Sequence, residues 1–138
     1  MEKLRIDNGL KKIEVNDEGE YIYFSLNDTN FFSKYADLVT LMESKKGMYD
    51  ELEDGETDHD KLVAIAKMRA DTCAEVCGKI DEMFGENASK KVFGPIIPDE
   101  VLISEFFDAI NPIIDKFSRE RAQQINNKYN GRRKGANS

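Results

Sequence analysis

The sequence predicts an α+β protein: a small N-terminal antiparallel β-meander followed by a bundle of three long helices and one short helix. Three observations carry this. Residues 61–84 place Leu62, Ile65, Ala66, Cys73, Val76, Cys77, Ile80, Met83 and Phe84 at steps of three and four, which gathers them on one stripe of an α-helix. Before residue 27 the apolar residues alternate with polar ones around Asn8-Gly9 and Asp17-Glu18-Gly19, the period of strands joined by tight turns. The length of 138 residues and the 40% hydrophobic content allow one domain with a real core and no disulfide or metal. We place that domain at residues 1–130, with the meander at 1–27, the helical part at 28–130 and a disordered basic tail at 131–138.

The elements follow in order. Leu4 and Ile6 alternate with charged residues, Asn8-Gly9 supplies a two-residue turn, and Ile13 and Val15 alternate with Lys12 and Glu14. In Tyr21-Ile-Tyr-Phe-Ser-Leu, Ile22, Phe24 and Leu26 face the core and Tyr21 and Tyr23 face away. The two tyrosines are either an interface or ordinary strand formers. Asn27-Asp-Thr-Asn supplies helix caps, and the first helix should run over residues 31–52, burying Phe32, Tyr35, Leu38, Val39, Met42, Tyr49 and Leu52. Gly47 weakens its middle by about 1 kcal/mol relative to alanine. Gly85 stops the second helix, residues 87–93 form a short helical turn, and Gly94-Pro-Ile-Ile-Pro is an extended breaker. Its two isoleucines should pack beneath the loop; exposed, they would make a small sticky patch. Pro98-Asp99-Glu100 opens the last helix. Val101, Leu102, Ile103, Phe106, Phe107, Ile110, Ile113, Ile114, Phe117 and Ile125 make it apolar over much of its circumference, so it is central or covered by another chain. Pro112 should kink it.

Charge and chemistry exclude several classes. The net charge is −7, divided into −13 over residues 1–115 and +6 from Lys116 onward. An acidic body argues against nucleic acid as a partner. The basic end is either a solvated, frayed terminus or a contact for an acidic partner or a sister subunit. No apolar run approaches a membrane span, and the first residues lack the apolar region of a secretory signal, so the expected location is the cytoplasm. Residues 50–60 carry seven acids in eleven, which invites a calcium-loop reading. That reading fails because Leu52 and Lys61 fall where the third and twelfth ligands are required, and a solvated acidic loop fits better. His59 is the only histidine and should lie in solvent near the start of the second helix. With Cys73 and Cys77 it makes no zinc set, and the cysteines read as reduced, buried thiols. No cofactor, metal or catalytic constellation emerges, and the expectation is a protein that is not an enzyme.

The strand Tyr21-Ile-Tyr-Phe-Ser-Leu-Asn-Asp, the helix start Phe31-Phe32, and Phe106-Phe107-Asp-Ala-Ile-Asn-Pro-Ile-Ile-Asp-Lys with Lys128-Tyr129 resemble small tail-region proteins of phages and prophages of Gram-positive bacteria, the tail assembly chaperones above all. That resemblance implies a non-enzymatic, self-associating protein in the cytoplasm of the bacterial host that binds the tape measure protein during tail assembly. The alternative is a structural virion component, a tail or head-tail connector subunit. A chaperone for a helical client needs apolar surface ringed by charge; Tyr21, Tyr23, Ile103, Phe107 and Ile114 are the candidate partner-binding residues, unless each is simply core.

Overall fold

The computed structural model describes residues 2–45 and 59–136, the last six of them by backbone only. A β-hairpin comes first, with strands β1 (Lys11–Glu14) and β2 (Tyr21–Phe24). Among the described residues four helices follow: α1 (Thr29–Ser44), α2 (His59–Phe84), α3 (Ala88–Phe93) and α4 (Glu100–Ala136). This is the α+β arrangement the periodicities predict.

The hairpin is antiparallel, with Ile13 opposite Ile22 and Lys12 opposite Tyr23. Its turn is closed by Val15 N–H donating to Glu20 O at 3.0 Å and by Asn16 Oδ1 accepting from Glu18 N–H at 2.9 Å. Alternation then decides the faces: Ile22 and Phe24 are buried, while Tyr21 and Tyr23 point outward. A hairpin this short is marginal alone, and α3 holds it in place. Asn16 Nδ2 donates to Lys91 O at 3.1 Å, and Lys91 Nζ donates to Tyr21 O at 3.1 Å.

The expected first strand through Leu4 and Ile6 is not formed. Those side chains are 87% and 79% exposed, so no buried face exists to fix a register. Asn8-Gly9 does turn, with Gly9 at φ +71° and its N–H on Asp7 Oδ1 at 2.8 Å, but the turn leads into β1 rather than joining two strands.

The helices start and stop where local chemistry dictates. Asp28 caps α1 by accepting from Asn30 N–H at 2.9 Å, and Asp99 caps α4 by accepting from Leu102 N–H at 2.9 Å. Gly85, at φ +104°, ends α2 with its N–H on Asp81 O at 3.0 Å. Asp81 Oδ1 then accepts from Ser89 N–H at 2.8 Å, so one side chain near the end of α2 starts α3. Helix α1 stops at Ser44; its expected continuation through Gly47, Tyr49 and Leu52 lies outside the described residues, as does the acidic stretch up to residue 58. His59 opens α2 and is exposed.

The core is an aromatic cluster around Phe84, which is wholly buried. Its ring meets Phe24, Phe31 and Phe106 edge-on, at centroid distances of 5.8, 5.6 and 5.5 Å, the geometry the ring quadrupole favours. Ile22, Leu38, Val76, Ile80, Met83, Ile103 and Ile110 complete it. Thr72 is also buried, and its hydroxyl is satisfied by donating to Met68 O at 2.8 Å.

Three expectations about burial are corrected. Helix α1 buries Phe31 and Leu38, whereas Phe32, Val39 and Met42 are 44%, 37% and 40% exposed. The helix is rotated so that Phe31 reaches Phe24 and Phe84, which turns the other edge of its stripe outward. Ile96 and Ile97 are 56% and 55% exposed, because the buried Pro98 rather than the isoleucines anchors that segment. On α4, Ile103, Phe106 and Ile110 are buried, but Val101, Leu102 and Ile125 are exposed. Pro112 lies within α4, and the helix continues past it to Ala136, through residues expected to be an unstructured tail.

Candidate functional site

Rotating α1 about its axis leaves an apolar groove. Tyr35, Val39 and Met42, at i, i+4 and i+7, form its α1 wall, with Leu38 beneath them and Phe107 of α4 opposite. The Tyr35 and Phe107 rings meet edge-on at 6.3 Å. Met42 also belongs to a second, adjoining cavity of about 320 Å³ lined by Thr72, Cys73, Val76 and Ile103, with Lys45 and Glu100 at its margin. Apolar surface is therefore continuous from Tyr35 to Cys73. From Tyr35 to Met42 the α1 wall is about 10 Å long, two turns of a helix laid alongside it.

Charge borders this groove without entering it. Glu43 stands at the α1 side. On the other side Arg69 binds Glu100 in a two-pronged ion pair, Nε to Oε1 at 2.9 Å and Nη2 to Oε2 at 2.6 Å, joining α2 to the first turn of α4. Cys73 Sγ lies 3.9 Å from Glu100 Oε1. Burial pushes the Cys73 thiol up from its ordinary value and the Glu100 carboxylate adds to the effect; Cys77, half-buried, is pushed up by burial too. Both thiols are therefore held protonated and are poor nucleophiles at neutral pH. Among the described residues, no three His, Cys, Asp or Glu side chains gather as a metal site.

The five candidate partner-binding residues are not brought together. Phe107 is half-buried and forms the groove wall; Ile103 is 2% exposed and belongs to the floor and the core, so it is not a contact side chain. Ile114 is half-buried against the core. Tyr21 and Tyr23, 45% and 36% exposed, lie on the outer face of the hairpin. There Tyr23 covers Gly85, close enough that an added Cβ would meet the ring at 2.8 Å, and Lys91 Nζ sits 5.8 Å from the ring centre. Tyr23 thus has a structural seat. Sequence reading missed Val39 and Met42 as site residues because a helix with apolar residues on several sides does not announce which of them faces inward. No described helix is long and apolar enough to cross a membrane.

A family profile described as a family of unknown function (DUF6673) matches residues 18–137, which takes in β2 and all four helices. No curated protein and no solved structure matches the chain. The protein belongs to the DUF6673 family.

Proposed function

We propose that this protein is a non-enzymatic assembly factor of a phage tail, acting in the cytoplasm of the bacterial host, and that it binds an amphipathic helix of the tape measure protein in the groove between α1 and α4. The observation that supports this reading is the half-exposed stripe Tyr35, Val39 and Met42 facing Phe107. Such a stripe suits anchors spaced at i, i+3, i+4 and i+7 on a client helix. The exposed fractions of Val39 and Met42 amount to on the order of 100 Å² of apolar area, roughly 2.5 kcal/mol of transfer free energy before the cost of association. That is a reversible contact, which a factor that must later release its client requires. The likeness of Tyr21–Asp28, Phe31-Phe32 and residues 106–116 to tail assembly chaperones supplies the identity of the client.

Co-expression with the tape measure protein tests it. The client should become soluble and co-purify with the wild-type chain, and Met42→Glu, at a 40% exposed position, should abolish co-purification without unfolding the protein. No co-purification with the wild-type chain, or none of the expected loss in the variant, sinks the proposal. Recovery of this chain in purified virions would favour the structural-subunit reading instead.

A further inference from the structure

Strand β1 has one free edge. Strand β2 pairs it on one side, and among the described residues no strand pairs it on the other. Val15 N–H donates to Glu20 O, which fixes the alternation along the strand. Lys11 and Ile13 turn their backbone N–H and C=O groups toward β2, and Lys12 and Glu14 turn theirs outward, where no described backbone group meets them. Such an edge is a template for a further strand. Beside it, between β1 and α4, lies an open cavity of about 360 Å³ lined by Ile13, Val15, Leu102, Ala109 and Ile113. At about 100° per residue the three α4 side chains fall within roughly 40° of one another, and Leu102 is 37% exposed.

Residues 2–7 carry the complement. They form neither helix nor strand, and Leu4 and Ile6, almost wholly exposed, alternate with Lys3, Arg5 and Asp7, the period of a strand with one buried face. We propose that two copies of this chain associate by exchanging this segment. Residues 2–7 of each copy add to the outer edge of β1 of the other as an antiparallel third strand, and Leu4 and Ile6 enter the cavity against α4. Reciprocal exchange closes the pair about a two-fold axis.

Alternation and charge together select the register. Leu4 and Ile6 must share the inner face with Ile13 and Val15, while Lys12 and Glu14 stand on the exposed outer face. With Ile6 opposite Ile13 and Leu4 opposite Val15, Arg5 meets Glu14 and Asp7 meets Lys12, two pairs of opposite charge. Lys12 and Glu14 are also the residues with outward N–H and C=O groups, so each exchanges backbone hydrogen bonds with its charge partner. Slipping by two residues sets Arg5 against Lys12 or Asp7 against Glu14. A parallel strand with both apolar residues alongside residues 11–15 sets Lys3 or Arg5 against Lys12.

The chain's own segment cannot take this register. Only residues 8–11 would remain to turn the chain, yet Lys11 is paired with Phe24 and Asn8 O accepts from Ser25 Oγ. The tighter hairpin that Asn8-Gly9 could close would set Arg5 against Lys12. Ile6 and Asp7 instead border a cavity with Tyr23, Met83 and Gly85, which shares no residue with the one beside β1. The occupant of that edge is therefore a second copy, and the contact does not depend on which client the α1 groove takes.

Sedimentation equilibrium on the full chain without any client tests this. The wild type should be a dimer. Leu4→Asp with Ile6→Asp, at side chains exposed in a single copy, should give a monomer whose melting temperature matches that of dilute wild type. Arg5→Glu and Glu14→Arg should each weaken the dimer about fivefold or more, because the pair occurs twice in the contact, and combining them should restore it. The register has its own readout. Ile6 and Ile13 would form a non-hydrogen-bonded pair with Cα atoms about 4.5 Å apart, within disulfide reach, so oxidising Ile6→Cys with Ile13→Cys should give a covalent dimer on a non-reducing gel. A disulfide within one chain would assign the edge to the chain's own segment and overturn the inference. So would a wild-type monomer into the hundred-micromolar range, a dimer indifferent to Leu4→Asp with Ile6→Asp, or one that the combined charge reversal fails to regain.

Discussion

Gly85→Ala separates two physical costs that the structure superimposes at one residue. The backbone there has φ +104°, a region that costs an L-residue about 1–2 kcal/mol. The new methyl would also lie 2.8 Å from Tyr23 Cε2 and 2.9 Å from Cζ, well inside ordinary carbon contact, so the ring must swing outward by several tenths of an ångström. Tyr23 is 36% exposed and can give way, at a cost of about 0.5–1.5 kcal/mol in rotamer strain and lost packing. Together the loss is about 1.5–3.5 kcal/mol. For a chain of 138 residues each kcal/mol is worth roughly 3–4 °C, so the melting temperature should fall by about 5–14 °C. The assay is thermal unfolding by circular dichroism of Gly85→Ala in two backgrounds, wild type and Tyr23→Ala. In the second the ring is absent and only the backbone cost remains, so the loss should shrink by the steric share, a coupling of about 0.5–1.5 kcal/mol. Equal losses in the two backgrounds would show that the ring does not rest on Gly85; a loss under about 2 °C in the wild type would refute the backbone argument as well.

Two further expectations concern the groove margin. Arg69 and Glu100 are each about a third exposed, so a double-mutant cycle with alanine should give a coupling of only about 0.5–1 kcal/mol despite the two-pronged geometry; a coupling near zero would mean the pair does not join α2 to α4. Cys73 and Cys77 in the native protein should react with a disulfide reagent roughly tenfold or more slowly than in denaturant, and equal rates would contradict their burial. The raised thiol values also fix a sign: this contribution to stability is full below the ordinary thiol range and is lost as pH rises through it, because the unfolded thiols ionise first. Urea midpoints measured across that range should therefore fall with rising pH, and less so for Cys73→Ala.

The legible parts of this chain are those governed by local rules. Of the stripe predicted for α2, Ile65, Cys73, Val76, Ile80, Met83 and Phe84 are in the core and Cys77 is half-buried, whereas Leu62 and Ala66, near the start of the helix where fewer elements pack, are exposed. Strand alternation predicts Ile22 and Phe24 in and Tyr21 and Tyr23 out, and the register bears this out. What could not be read is the rotation of α1. Phe31, Phe32, Tyr35, Leu38, Val39 and Met42 spread apolar side chains around more of that helix than one neighbour can cover. The choice between burying Phe31 or Phe32 is settled by tertiary packing, through the edge-on contacts of Phe31 with Phe84 and its tilted contact with Phe24. Leu4 and Ile6 fail for a related reason. Their alternation is correct for a strand, but no element offers them a face to pack against.

That unreadable rotation is also what opens the groove. Had α1 buried Phe32, Val39 and Met42, the groove opposite Phe107 would be closed and Phe31 would stand outside. Burying Phe31 instead sets its ring against Phe24 and Phe84, contacts of a kind that add about 0.5–1.5 kcal/mol each beyond their area, while Phe32, Val39 and Met42 stay 44%, 37% and 40% exposed.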